Sequence, residues 1–435
     1  MMEEAVQQAL KAGMDDAVAR LVTRRERQVK FHRSDISVIK TWEERRLHIF
    51  MAKDRRVFSL VLENPDEQDV VRAVQQGRSL VPVISPREHY HGLGQPARGY
   101  QSQKRFDPRV DDERRLRSLV SRAIDEARDY VPEVAGVAYA GVDEVQLASS
   151  QGVRAEDANS WVTLSVRAFA ADNASGHAVA CARDTASLSP GVGEEAGQRA
   201  VDALRPRPVE RGTYDVVFTP LAFANLVASL SRLTSAFFVD SGMSMLAGKL
   251  GHRVGSQALT VTDSGVHPEG IGSRTFDDEG MPTQETTLIE KGVLASYLHN
   301  TSTAHRHHTT TTGNAGILYP TPWNAVVAPG DLRPEELIGS VKRGLLVTNM
   351  WYTRFQNYVT GDFSTIARDG TFFIENGSVQ HPVEGVRISD NLLRIMQNVA
   401  LLSAAVTQIA WWEVDIPVFT PAAMVKNVSV TRSFL

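Results

Sequence analysis

The stretch TFFIENGSVQH, Thr371 to His381, reads as a β-hairpin. Two strands, Thr371–Glu375 and Ser378–His381, flank Asn376-Gly377, a pair that supplies the positive φ values of a type I′ turn. A second hairpin signal stands upstream. There Glu290-Lys291-Gly292 separates Thr286–Glu290 from Val293–Leu298. Further strands are expected at Ala258–Thr262 and Gly344–Thr348. This half opens with a strand at Tyr214–Phe218 and a helix from Pro220. Leu226, Leu230, Leu233 and Phe237 are expected to line one face of that helix. Residues 213–435 thus read as a β-rich α+β domain.

The segment before it, Arg205-Pro-Arg-Pro-Val-Glu-Arg-Gly212, has the prolines and charges of a linker. Residues 1–204 read as a separate α+β domain. Val6, Leu10, Met14 and Val18 recur at helical spacing and predict a first helix running to Arg24–Arg27. Alternation at Ile36/Val38 and Leu47/Ile49 predicts antiparallel strands between Gln28 and Leu62. Helices are expected at 66–76, 111–130 and 194–204, and strands at 134–140, 144–149 and 161–171. Ser85–Pro108 is rich in Gly, Pro, His and Arg and reads as a long loop.

Composition narrows the function. Hydrophobic content of 42% and charged content of 23% are those of a soluble globular chain. A formal net charge of −4 gives no overall attraction to nucleic acid or to an anionic membrane. Acids interrupt the locally basic stretch Arg20–Arg56, which reads as a solvated strand face. Cys181 is the one cysteine, so no intrachain disulfide can form and a reducing cytoplasm is expected. The N-terminus lacks the pattern of a signal peptide. No apolar run reaches the roughly 18 residues of a membrane span, and Val399–Trp412 reads as a buried core segment.

Gly242 to Gly248-Lys249 has the wrong spacing for a phosphate loop, and Leu250 replaces its hydroxyl. No nucleophile elbow occurs. None of the twelve histidines is followed by Glu, so no H-E-x-x-H helix exists. Two histidine clusters remain, Glu88-His89-Tyr90-His91 and His299 with His305, His307 and His308. The plain reading of each is a solvated loop. The chemical alternative is metal binding or proton transfer, because alternate residues of an extended segment share one side. Threonines 309–312 and the following Gly313-Asn314 could form a flexible loop, or a row of hydroxyls and amides that holds an extended peptide. Asp277-Asp278-Glu279-Gly280 reads as an acidic turn.

A set of strings in order resembles the TldD/PmbA family. They are Phe276-Asp-Asp-Glu-Gly280, Ile289-Glu-Lys-Gly-Val-Leu294, Leu298-His-Asn-Thr301 and Thr312-Gly-Asn-Ala315. Gly344-Leu-Leu-Val-Thr348, Thr360-Gly-Asp-Phe-Ser364, Phe373-Ile-Glu-Asn-Gly377 and Pro382-Val383 follow. The resemblance implies a two-domain α+β architecture and a dimer in which TldD and TldE (PmbA) subunits form a cytoplasmic metallopeptidase acting on small peptides. In TldD-type members the helix after the opening strand of the C-terminal domain carries H-E-x-x-x-H, and a later Cys completes the zinc site. Ala228-Ser-Leu-Ser-Arg-Leu233 stands in that place here, and no Cys follows Cys181.

The expectation is therefore a TldE/PmbA-like subunit with no zinc ligands, no catalytic residue and no cofactor of its own. Its partner would be a TldD-like zinc peptidase subunit or a second copy of itself. Peptide contact is expected at His305, His307, His308, Thr312, Gly313 and Asn314. The alternatives are a stand-alone enzyme with a repurposed His site, and a peptide-binding protein without activity.

Overall fold

The computed structural model describes residues 1–95, 106–316 and 319–432. The chain first builds a six-stranded antiparallel sheet, in the order β3-β2-β1-β4-β5-β6. Its strands are β1 (Asp16–His32), β2 (Asp35–Lys53), β3 (Arg56–Glu63), β4 (Glu133–Ser149), β5 (Arg154–Ala171) and β6 (Ala174–Ala182). Four helices accompany it: α1 (Met2–Lys11), α2 (Glu67–Leu80), α3 (Glu113–Arg128) and α4 (Val192–Asp202).

Alternation along β1 explains why the helices lie on one face. Ala17, Ala19 and Leu21 join Leu47, Ile49 and Met51 of β2 in a core with Val6 of α1 and Val70 of α2. Val29 and Val134 pack against Leu116, Val120 and Ala123 of α3 and Ala196 of α4. The intervening residues, Arg20, Val22, Arg24 and Glu26, point to the opposite face.

The remaining strands form two sheets. β9 (Val261–Ser264), β10 (Glu285–Glu290), β11 (Val293–Leu294), β12 (Ala325–Val327), β18 (Thr407–Trp411) and β19 (Val414–Thr420) make a mixed sheet. The larger sheet holds β7 (Arg207–Pro208), β8 (Gly212–Phe218), β13 (Arg343–Asn357), β14 (Asp362–Glu375), β15 (Ser378–Glu384), β16 (Val386–Asn391) and β20 (Ala423–Arg432), with β17 (Val399–Leu402) beside β20. Helix α5 (Pro220–Arg232) buries Phe223, Leu226 and Leu230 in the core beside Phe218. Each such side chain contributes about 1.5–3 kcal/mol when removed from water. Short helices α6 (Ala236–Asp240), α7 (Thr301–Arg306), α8 (Pro334–Gly339) and α9 (Leu392–Gln397) complete this half.

Both hairpin turns take the expected conformation, with φ of 46° and 83° at Lys291 and Gly292, and 50° and 77° at Asn376 and Gly377. Other expectations need correction. The first helix stops at Lys11 rather than Arg27, since Gly13 turns the chain at φ 84° and Val18 lies in β1. Phe237 does not share the face of α5, because the chain breaks at Leu233–Ser235 and Phe237 stands 37% exposed on α6. The strand expected at 293–298 is only Val293–Leu294, and β4 runs unbroken where two strands were expected. Strand β6 was not expected at all. The 205–212 segment is no free tether. Arg207 and Pro208 pair with Val383 and Glu384, and Val209 is buried in the larger core.

Candidate functional site

The charged face of the first sheet is partly covered: Arg20 is buried, while Arg24, Glu44 and Arg46 keep 42–52% of their side-chain surface exposed. It forms one wall of a cavity of ≈ 1430 Å³ whose other wall comes from the C-terminal half. Arg20, Arg24 and Glu26 of β1, Glu44, Arg46 and His48 of β2, and Asp143 of β4 lie on the sheet side. Arg274, Trp323, Trp411, Trp412 and Asp415 face them. The stretch Arg20–Arg56 was expected as a solvated strand face; Arg24, Glu44 and Arg46 are partly exposed on this wall, whereas Arg20 and His48 are buried in it. Period-two charge along β1 was the available signal; what lay opposite was not in it.

The cavity charges are arranged in pairs. Arg24 binds both carboxylate oxygens of Asp143 at 2.6 and 2.7 Å, which raises the Arg24 pKa, and its guanidinium stacks over Trp161 at 5.9 Å. Arg20 is almost fully buried and lies 3.0 Å from Asp278, which Arg274 also approaches at 3.6 Å. Burial lowers the Arg20 pKa. Burial also pushes the His48 imidazole down to about 4, and its Nε2 lies 2.7 Å from Ser59 Oγ.

His48 also lines a second cavity of ≈ 910 Å³, which Asp278 borders as well. Glu88, His89, Tyr90 and Leu93 of the 85–95 segment line it, with Phe237, Asp240, Glu279, Asn300, Ser302, Thr303 and Arg306 opposite. Tyr90 Oη donates to Asp16 at 2.8 Å, and His91 N donates to Ser302 Oγ at 3.2 Å. The structure thereby brings the two histidine clusters of the sequence together. The rings of His91 and His305 stack with centroids 3.8 Å apart.

The six expected peptide-contact residues separate into two environments. His305 and His308 are exposed on α7 and just beyond it, and half-buried His307 places Nε2 2.8 Å from Asp240 Oδ1. Thr312, Gly313 and Asn314 are buried, and most of their polar groups are engaged inside the protein, Asn314 Oδ1 being the exception. Thr312 Oγ1 accepts from His299 N at 2.8 Å. Asn314 Nδ2 donates to Asp263 Oδ2 at 2.6 Å and to the Thr321 carbonyl at 3.0 Å. Gly313 has φ 67°, and a Cβ there would lie 2.2 Å from the Pro282 carbonyl oxygen. Asp263 is the hub of this packing. Burial pushes its carboxyl up to about 7 against the opposing pull of its hydrogen bonds from Asn314 and the Trp323 backbone.

The acidic turn is also internal. Asp277 Oδ1 accepts from Glu279 N and Met281 N, and Oδ2 accepts from Ala315 N at 2.9 Å. Glu279 Oε2 accepts from Thr301 N and Oγ1. Burial, with repulsion from neighbouring carboxylates added (Glu279 on Asp277, Asp278 and Asp16 on Glu279), raises the pKa of both acids. They tie the turn to the entry of α7.

Helix α5 offers nothing to a zinc ion. Ala228 and Leu233 are 4% and 3% exposed within the large apolar core, and Ser229 Oγ donates to the Asn225 carbonyl at 3.0 Å. A catalytic zinc is held by imidazole, carboxylate or thiolate groups, so the residues present do not fit one. Among the described residues, no group of three His, Cys, Asp or Glu side chains is placed to hold a metal ion. Nor is any described helix long and apolar enough to cross a membrane.

Comparison with known proteins gives a consistent picture. Residues 106–204 match the PmbA/TldA metallopeptidase central domain, and residues 211–432 match the PmbA/TldA metallopeptidase C-terminal domain. A metalloprotease of Methanothermobacter thermautotrophicus is 32% identical over 216 residues, covering 48% of this chain and 46% of that protein. Metalloprotease PmbA of Escherichia coli O157:H7 is 28% identical over 211 residues, covering 48% and 45%. The aligned part thus spans about half the length of these curated relatives. In structure, TldE from Thermococcus kodakarensis superposes with a TM-score of 0.87 at 22% identity, over 99% of each chain. A Thermotoga maritima protein superposes with a TM-score of 0.88 at 24% identity, again over 99% of each. At such identities the likeness is one of fold. The sequence match over residues 211–432 is independent of it and covers more than half of the molecule, and on that match the chain belongs to the PmbA/TldD metallopeptidase family.

Proposed function

We propose that this chain is a TldE/PmbA-like subunit of a cytoplasmic TldD/E-type metallopeptidase, acting in proteolysis or peptide maturation without cutting peptide itself. The observation that carries this reading is the content of α5, where Ala228, Ser229 and Leu233 stand in place of ligands and base. Family hydrolysis needs a metal to bring bound water from a pKa near 16 to about 7, and among the described residues no group of His, Cys, Asp or Glu side chains is placed to hold one. The cavity of ≈ 1430 Å³ between the halves has room for a short peptide, and its paired charges and indole rings offer both polar and apolar contacts. In this reading residues 1–204 and 213–435 are the two domains, joined by 205–212. The subunit shapes a chamber and holds peptide for a zinc-bearing TldD-like partner.

The test is reconstitution. Purified alone, the chain should carry well under one zinc per molecule and show no chelator-sensitive cleavage of unfolded casein. A TldD-like protein from the same host, captured by pull-down, should restore cleavage in the mixture. A full, tightly held complement of zinc in the lone chain would sink the reading. The exposed histidines offer a finer check. His305→Ala with His308→Ala should weaken peptide capture or complex activity several-fold with an almost unchanged melting temperature. His307→Ala should also cost about 1 kcal/mol through its lost bond to Asp240. Unchanged capture in both variants would remove α7 from the peptide path.

A further inference from the structure

The cavity of ≈ 910 Å³ combines an apolar lining with one unmatched carboxylate. Phe50, Phe58, Tyr90, Leu93 and Phe237 supply the lining, and the rings of Phe50 and Tyr90 lie 5.7 Å apart. Glu88 and Arg87 line it too, both exposed to water. The acids withdrawn from water here are Asp16, Asp240, Asp278 and Glu279, and the first three are matched by cations or by a donor to each oxygen. Asp278 lies 3.0 Å from Arg20 and 3.6 Å from Arg274. Asp240 lies 3.2 Å from Arg306 and 2.8 Å from His307. Asp16 accepts from Tyr90 Oη at 2.8 Å and from Gln151 Nε2 at 3.2 Å. Half-buried Glu279 differs. Its Oε2 accepts from Thr301 N at 3.0 Å and from Thr301 Oγ1 at 2.5 Å. Among the described residues its Oε1 has no hydrogen-bond partner and the carboxylate makes no ion pair.

A carboxylate oxygen held beside apolar walls without a donor carries a desolvation cost, which an incoming cation offsets through a charge-assisted hydrogen bond. Asp278 and Asp16 add negative potential at the same place. We propose that this cavity is a binding site for a primary ammonium on an apolar body, the ammonium donating to Glu279 Oε1 and the body packing among Phe50, Phe58 and Phe237. The geometry selects that class of cation. A guanidinium is best matched by both oxygens of a carboxylate, and Oε2 is already taken by Thr301. A hard divalent ion takes about six oxygen ligands, and no metal-holding group of acids and histidines occurs among the described residues. An ammonium is a compact point charge that a single carboxylate oxygen can hold. A volume of ≈ 910 Å³ is that of a pocket for one small ligand or one end of a longer one. Two sources carry this chemistry: a free amine with an apolar group, and the first residue of a peptide that begins with an apolar side chain.

The inference stands apart from the subunit reading, which concerns zinc and cleavage, so reconstitution and ligand binding can fail separately. It is tested by titration calorimetry of the full chain with phenethylamine and with leucyl-glycyl-glycine, beside 2-phenylethanol and the acetylated tripeptide. At least one of the two ammonium ligands should bind with a dissociation constant of about 1 mM or lower, and its uncharged counterpart at least tenfold more weakly. Binding of phenethylamine alone would assign the site to free amines, and binding of the tripeptide alone would assign it to peptide amino termini. Glu279→Gln keeps an oxygen for Thr301 and removes the charge; it should weaken binding at least tenfold, with the melting temperature within a few degrees of the parent. Phe237, 37% exposed, contributes little to the core, so Phe237→Ala should weaken binding several-fold and leave stability unchanged. If Glu279→Gln fails to fold, Phe237→Ala and the uncharged ligands decide. Absence of binding by both ammonium ligands overturns the proposal. So does a folded Glu279→Gln that binds as well as the parent, or an uncharged ligand that binds as well as its ammonium counterpart.

Discussion

His177 lies wholly buried where the first sheet meets the larger C-terminal sheet. Its Nε2 is 2.8 Å from Ser165 Oγ and its Nδ1 is 2.8 Å from Asn349 Nδ2, while Trp411 meets the ring edge-on at 4.8 Å. The amide can only donate, so Nδ1 accepts and the ring is neutral with its proton on Nε2. Burial pushes the imidazole down to about 4. The unfolded chain, with an ordinary value near 6.5, binds a proton below that pH while the folded chain does not. The stability contributed by keeping this ring neutral is therefore complete above about pH 6.5, falls away as pH drops, and levels off near pH 4. In His177→Gln this dependence should vanish. The melting-temperature advantage of the natural protein over the variant should shrink between pH 6.5 and 4, by a free energy of roughly 3 kcal/mol. A constant gap across that range would mean that the ring is charged when folded. Asp263 acts in the opposite sense. Its raised value favours the folded state at low pH and that advantage is lost as pH rises through about 7.

Helix α5 is held in place by apolar packing. Pro220 occupies its first turn, and Ala222, Phe223, Leu226, Val227 and Leu230 are buried almost completely. These apolar faces hold the helix in place. Restoring ligands alone, as Ala228→His, Ser229→Glu and Leu233→His, should give neither tight zinc binding nor strong activity. Three ligands need oriented neighbours as well as the right spacing. The new imidazoles would also enter an apolar core, so a drop in melting temperature of several degrees is expected beside the metal analysis. Stoichiometric zinc with robust cleavage would show that the surroundings of an active site had been kept. Local pattern revealed this helix and both hairpins because their signals lie within a few residues: Pro at the first turn, leucines at helical spacing, and Asn-Gly between alternating strands. It overran the first helix, since Met14 and Val18 satisfy helical spacing while also serving a strand that begins after Gly13.

The halves of the molecule are joined through Asp369, whose side chain is fully buried. Arg167 Nε lies 2.6 Å from it, Ser175 Oγ donates at 2.8 Å and Trp351 Nε1 at 2.6 Å. Burial alone would raise this carboxyl, but Arg167 and the hydrogen bonds hold it below the usual range. Arg167→Met should cost about 3–5 kcal/mol by leaving the carboxylate buried without its cation. The loss should be largest at neutral pH and shrink in acid, where protonation removes the stranded charge; thermal melts from pH 7 to 3 read this directly. Sequence alone determined helix α5, both hairpin turns and the family strings after Tyr214, because each is written in contiguous residues or fixed spacings. Only the tertiary structure decided that Arg20 and Arg24 line a cavity, that His91 stacks on His305, and that Thr312–Asn314 lie buried. The first two outcomes depend on residues more than a hundred or two hundred positions apart being brought together, the third on partners up to 51 positions away, and no local period records which of a strand's two faces another half of the chain will cover.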